Sequence, residues 1–157
     1  MRHRWLTERQ FEAALLQMIT SHNRLGFPEP IPFPDRERIA RAAGIVVSAN
    51  EPVFGRWRYH SLSGKASYVF YELIKQHVFF NGNKRIATYF LLHLLEQHDF
   101  ILDMPPAALA DLSVTVAESL AADREKVIKR TQRIITRNTM TIEAWKMWQD
   151  VFRRQRE

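Results

Sequence analysis

Residues 77–85 read His-Val-Phe-Phe-Asn-Gly-Asn-Lys-Arg, and the physics of that stretch organises the reading of the whole chain. Gly82 permits a backbone turn that a residue with a Cβ resists. The turn empties into a helix predicted to begin near Lys84. That helix is apolar nearly all round, with Ile86, Ala87, Tyr89, Phe90, Leu91, Leu92, Leu94 and Leu95. Such a helix belongs at the centre of a bundle. Its N-terminus presents free N–H groups and a positive dipole end, which together attract anions. Lys84 and Arg85 add two formal positive charges at that same end. They oppose the dipole, so a helix built only for stability would not place them there, and a bound anion resolves the conflict. Asn81 and Asn83 can bond phosphate oxygens or hold the loop. His77 closes the preceding helix within reach of the same pocket, and an imidazole is the side-chain type suited to act as general base at neutral pH. Phe79 is the apolar plug of the loop.

Outward from this loop, helical periodicity dominates. Thr7 and Gln10 make a capping box for a helix that buries Phe11, Leu15 and Ile19 and fades near Asn23. Residues 27–34, FPEPIPFP, alternate prolines that remove donors and fix φ, so they form an extended connector. Asp35 caps a helix carrying Ile39, Ala42, Ala43 and Val46. Residues 50–60, NEPVFGRWRYH, break the helical pattern. Val53, Phe54, Trp57 and Tyr59 suit extended structure and Gly55 suits a turn, which predicts a short hairpin or flap. Ser63 and Gly64 open the helix that runs to His77, with Val69, Phe70, Leu73 and Ile74 on its apolar face. Pro105 or Pro106 starts another helix. Asp123 caps a further one burying Val127, Ile128, Ile134 and Ile135. Thr141 begins the last, whose stripe of Trp145, Trp148 and Phe152 reads as core, as a partner groove or as a dimer surface. The expected fold is all-α, about seven helices with one small β-hairpin, in a single domain spanning residues 1–157.

Composition narrows the function classes. The chain has 157 residues, is 46% hydrophobic and contains no cysteine. A disulfide frame and a cysteine-ligated metal are both excluded, and a reducing cytoplasm is the expected location. The N-terminal MRHRWLTERQ lacks the apolar core of a signal peptide, and no apolar run reaches the roughly 18 residues of a membrane span. The net charge is +6. It fits an anionic partner or simply a basic solvated surface, since Lys and Arg are spread along the chain. The dense cluster Arg153, Arg154 and Arg156 lies in a terminal tail. With no recognised DNA-binding helix pair, a nucleic-acid partner ranks last. His93 and His98 are five residues apart, off a common helix face, and read as structural.

The 77–85 constellation resembles the signature of the Fic/Doc family, H-x-F-x-[D/E]-[G/A]-N-[G/K]-R. His77, Phe79, Gly82, Asn83 and Arg85 match it. Five such fixed positions arise by chance in a chain this long on the order of a few times in 100,000. Residues 49–55 look like the family's pre-motif flap region, and the stretch from Gly64 to Phe100 looks like its Doc-type core, so the similarity extends over roughly residues 35–135. The resemblance implies the Fic/Doc helical fold and an enzyme that moves part of a nucleotide onto a protein hydroxyl. Typical members transfer AMP and carry glycine after the motif asparagine. Doc-type members carry lysine, as Lys84 does here, and transfer the phosphoryl group to a threonine of elongation factor Tu, blocking translation. They are toxins, usually paired with a small antitoxin.

Carried over by position, the resemblance implies a role for each motif residue. His77 is the general base. Gly82, Asn83, Lys84 and Arg85 hold the phosphates of ATP or another nucleoside triphosphate, and Mg²⁺ is the metal cofactor. Val53, Phe54, Gly55, Arg56 and Trp57 form the flap that docks the target as an added strand. One departure stands out. The family's acidic metal-binding position is Asn81 here, whose amide oxygen is only a weak Mg²⁺ candidate because it brings no charge. Slower catalysis, a different donor, or a binding module that has lost catalysis are the three consequences. The family's inhibitory-helix pattern is approached only at residues 139–144, where an ordinary helix start is the better reading.

Overall fold

The computed structural model describes residues 5–154. Among them are seven α-helices and two small antiparallel strand pairs. The helices are α1 (Glu8–Arg24), α2 (Arg36–Ser48), α3 (Leu62–Lys75), α4 (Asn83–Glu96), α5 (Pro106–Glu118), α6 (Arg124–Asn138) and α7 (Ile142–Arg154). The strands are β1 (Pro52–Val53), β2 (Arg56–Trp57), β3 (Phe100–Leu102) and β4 (Thr139–Thr141). No helix among the described residues is long and apolar enough to cross a membrane.

Each helix starts where local chemistry satisfies its free amides. The capping box at α1 is complete, with Thr7 and Gln10 bonding each other's backbone N–H. Asp35 Oδ1 accepts from Arg38 N at the start of α2. Ser61, not Ser63 or Gly64, caps α3, its Oγ accepting from Gly64 N at 3.0 Å. The helix therefore starts at Leu62, one residue earlier than the pattern predicted, because a serine three residues ahead of a glycine N–H is the better-placed acceptor. Pro106 opens α5. Asp123 stands at the N-cap of α6, but its side chain makes no capping bond; a 3₁₀ turn over Ala121–Asp123 leads into the helix instead.

The core is a single cluster of buried hydrophobics running from Leu6 to Ile135. Helix α4 lies within it, packing on α1, α3 and α5. Ile86, Ala87, Phe90, Leu91, Leu94 and Leu95 are buried, whereas Tyr89 and Leu92 are half-buried along the side facing α1. Phe11 of α1 stacks on Phe90 with ring centroids 4.6 Å apart. Thr131 joins Ile128 and Ile135 in the buried stripe of α6, while Val127 and Ile134 sit at its margin rather than inside it. Glu72, buried on α3, receives Arg124 Nε at 2.8 Å and Gln76 Nε2 at 2.7 Å, so its carboxylate is matched by donors from two elements.

Two features depart from the helical expectation. Strand β3 pairs with β4, Phe100 opposite Thr141 and Leu102 opposite Thr139. This ladder ties the end of α6 back to the exit of α4. The last helix is not core: no residue of α7 is buried, and Trp148 and Phe152 are more than half exposed, with Trp145 half-buried at its root.

Candidate functional site

The loop between α3 and α4 begins with a reversal at His77, whose φ is +45°. Helix α3 ends at Lys75, two residues before the predicted position. A non-glycine residue in the left-handed region costs of order 1–2 kcal/mol and persists only where its surroundings enforce it. Those surroundings are visible. Val78 and Phe79, which follow the turn, are both buried. Arg38 of α2 donates from Nη1 to Val78 O at 2.9 Å, and its guanidinium lies 3.6 Å over the exposed ring of Phe80. Asn83 then closes the loop with both ends of its amide. Its Oδ1 accepts from Phe79 N at 3.0 Å and its Nδ2 donates to Phe79 O at 2.9 Å.

Gly82 sits at the N-cap of α4 with φ +80°, and its carbonyl accepts the first helical bond, from Ile86 N at 2.8 Å. The N–H groups of Asn83, Lys84 and Arg85 precede that bond, and no side chain caps them. Helix α4 therefore begins one residue earlier than predicted, with Asn83 inside it. Beneath the glycine lies Ile31, the one buried residue of the proline connector. A Cβ on Gly82 would fall 2.9 Å from Ile31 Cγ1. Ile31 is itself fixed by Asn23, which accepts from Ile31 N at 2.8 Å and donates to Ile31 O at 2.9 Å. The connector is thus the floor of the loop.

His77, Asn81, Gly82, Asn83, Lys84 and Arg85 line one cavity of about 220 Å³, together with Glu29, Ile74, Phe80 and Ala117. The six sequence-derived residues are brought together. The flap residues are not: β1 and β2 pair through a Phe54–Gly55 turn, and Val53, Phe54, Gly55, Arg56 and Trp57 are all exposed, but none of them lines this cavity. Trp57 instead lies beside Lys65, whose Nζ is 5.1 Å from its ring.

The charges are distributed differently from the sequence expectation. Lys84 is exposed and has no ion pair among the described residues. Arg85 is already engaged: it donates to Glu29 O, stands 3.4 Å from Glu29 Oε2, and reaches His22 Nε2 at 3.0 Å. The same Nε2 lies 3.1 Å from Glu29 O, and Nδ1 lies 2.7 Å from Tyr89 Oη, so the ring bridges Arg85, the connector backbone and α4. Half of the apparent conflict at the helix start is therefore resolved by Glu29 and the buried His22, neither of which the motif reveals.

The metal position fares poorly. Asn81 Oδ1 accepts from Gly82 N at 2.7 Å, so the oxygen that the family resemblance would offer to Mg²⁺ is turned back onto the loop. Among the described residues there is no group of three or more histidines and acids able to hold a metal. The one carboxylate on the cavity is Glu29, paired with Arg85. The lining fits phosphate, and it does not fit a metal held by the protein alone.

Larger hollows exist elsewhere. One of about 380 Å³ lies between α1 and α4, and one of about 490 Å³ between α5 and α6. Neither contains the loop. A hollow of about 320 Å³ adjoins the loop cavity, sharing Glu29 and Arg85 and adding His22, Phe27, Pro28 and Tyr89. Comparison of the chain with protein-family models, with curated proteins and with solved structures finds no match.

Proposed function

We propose that this chain is a Fic/Doc-type enzyme that transfers the terminal phosphoryl group of a nucleoside triphosphate to a hydroxyl of a target protein. One observation carries the reading: a histidine, an uncapped helix N-terminus and two cationic side chains open onto one cavity. Phosphoryl transfer asks a protein mainly for positioning and charge stabilisation. The free amides of Asn83 and Lys84 and the Lys84 ammonium supply both. Asn83 shapes the loop through Phe79 and does not spend its side chain on phosphate. His77 takes the proton of the attacking hydroxyl. The hydroxyl oxygen then bonds to the γ-phosphorus as the bridge to the β-phosphate breaks, releasing the nucleoside diphosphate. The loop cavity is small for a whole nucleotide, which leaves the adjoining Phe27–Tyr89 hollow for the nucleoside. Mg²⁺ would arrive on the phosphates, supplying charge neutralisation, with Glu29 as the available protein ligand.

Lys84 in the position where Doc-type sequences carry lysine favours phosphoryl over AMP transfer. In that reading the target is a translation factor such as elongation factor Tu, and a separate antitoxin restrains the enzyme. A second reading rests on Asn81 and Arg85. With the amide oxygen turned inward and the guanidinium paired to Glu29, the loop suits nucleotide binding better than rapid turnover. Incubation with γ-labelled and, separately, α-labelled ATP, Mg²⁺ and bacterial lysate decides among these. Label from γ-ATP alone, lost in His77→Ala, is the expected result. Label from α-ATP means AMP transfer. No label, with nucleotide binding retained, leaves the binding module.

A further inference from the structure

Helix α7 carries a large exposed apolar face that nothing among the described residues covers. Met147, Trp148, Val151 and Phe152 are each about half exposed or more, at 69%, 56%, 49% and 54%. Exposed aromatic and aliphatic clusters of this kind mark interaction sites. The helix is anchored at its root, where β4 pairs with β3, with Ile142 N donating to Asp99 O at 3.0 Å and Thr141 Oγ1 accepting from Ala144 N at 3.1 Å. Trp148 and Phe152 stack with centroids 5.7 Å apart, so two anchors are already ordered before any partner arrives.

The pattern of side chains around the helix identifies what covers it. At about 100° per residue, Trp148 lies mid-face, with Trp145 and Phe152 together along one edge. Glu143 and Arg154 are eleven residues apart, about three turns, and lie together along the opposite edge. Neither has an ion-pair partner among the described residues. An antiparallel copy of the same helix, related by a two-fold axis passing between positions 148 and 149, sets residue i opposite residue 297 − i. Glu143 then meets Arg154 of the copy, and Trp145 meets Phe152 of the copy, each twice by symmetry. The two Trp148 rings flank the axis. An isologous interface requires this kind of self-complementarity, and the acid and the base sit at opposite ends of one edge, where they satisfy that requirement.

We infer that α7 is a homodimerisation helix, and that its partner is the α7 of a second copy of this chain packed antiparallel. The inference is independent of the transfer activity proposed above. It is tested on the full chain by sedimentation equilibrium across a wide concentration range, with far-UV circular dichroism to confirm folding. Wild type is expected to show a monomer–dimer equilibrium. Trp148→Ala removes the central anchor from an exposed site and is expected to weaken the dimer on the order of thirtyfold without unfolding the monomer. Glu143→Arg and Arg154→Glu each turn two attractions into repulsions and are expected to weaken it about tenfold. The pair of substitutions together restores opposite charges and is expected to recover most of the wild-type association. A chain that stays monomeric at all concentrations overturns the inference, as does a dimer indifferent to Trp148→Ala. Failure of the double charge swap to rescue overturns the antiparallel pairing. Binding of the monomer to phosphatidylglycerol vesicles, with no dimer in solution, assigns the face to a membrane surface and likewise overturns it.

Discussion

Replacing Gly82 by alanine is expected to destabilise the protein through two separable terms. The first is conformational. At φ +80° a residue with a Cβ pays about 1–2 kcal/mol. The second is steric. The new methyl would stand 2.9, 3.2 and 3.3 Å from Cγ1, Cδ1 and Cγ2 of Ile31. Ile31 cannot swing away, because it is buried and its backbone is held at both N and O by Asn23. Overpacking of this kind costs about 1–3 kcal/mol. The sum, about 2–5 kcal/mol, corresponds to a fall in Tm of about 5–15 °C for a chain this size. A double-mutant cycle with Ile31→Ala separates the terms. The three atoms nearest the new methyl all belong to the Ile31 side chain beyond Cβ, so truncating Ile31 relieves the clash and leaves the strain. Ile31→Ala itself costs about 2–5 kcal/mol, and the double variant is expected to be more stable than the sum of the singles by about 1–3 kcal/mol. Urea unfolding measures this, with an osmolyte present to keep the double variant folded. Additivity within about 0.5 kcal/mol, or a neutral Gly82→Ala, would refute the claim that the proline connector is the floor of the loop.

The same geometry sets three further outcomes. His77 is exposed at φ +45°, so His77→Gly should hold or raise stability by up to about 1 kcal/mol while abolishing label transfer; a lower Tm would show that the imidazole packs rather than reacts. Asn83→Ala removes both bonds to Phe79 and should cost about 1–3 kcal/mol, with faster hydrogen exchange at the Phe79 amide and unchanged exchange in α6. Burial, with a smaller contribution from Glu125, pushes the Tyr59 hydroxyl up to about 12 from its usual 10.0, and its oxygen is buried without a hydrogen-bond partner among the described residues. The unfolded chain ionises first, so this stability is intact below pH 10 and is lost as pH climbs from there toward about 12. Tyr59→Phe should flatten that alkaline decline in chemical denaturation and leave stability at pH 7 unchanged or improved.

What the sequence discloses depends on whether the controlling interaction is local. The capping box at Thr7, the cap at Asp35 and the apolar circumference of α4 are all legible, because each is set by residues within a turn or two of one another. The gathering of six motif residues around one cavity is legible for the same reason, since one tight loop carries them. The β3–β4 ladder is not. It joins residues about forty positions apart, and three-residue strands carry too little alternation to announce themselves. The outward orientation of α7 is equally hidden, because an amphipathic stripe says that a face needs covering and not whether this chain covers it.

The fate of Arg85 is the instructive case. From sequence, its charge at a helix N-terminus demands an anion, and the structure supplies one from the chain itself in Glu29. Glu29 lies fifty-six residues upstream in a segment whose prolines announce only that it is extended. The same connector sets Ile31 under Gly82 and brings Phe27 against the buried His22 that contacts Arg85. Residues 27–31 therefore bind the loop through a steric contact, an ion pair and a histidine, none of which has a local signature. A ligand phosphate entering the cavity must compete with the Glu29 carboxylate for Arg85, while Lys84 and the free amides stand open to it. The charge this cavity presents to an anion is consequently a property of the connector as much as of the motif, and a motif match alone overstates it.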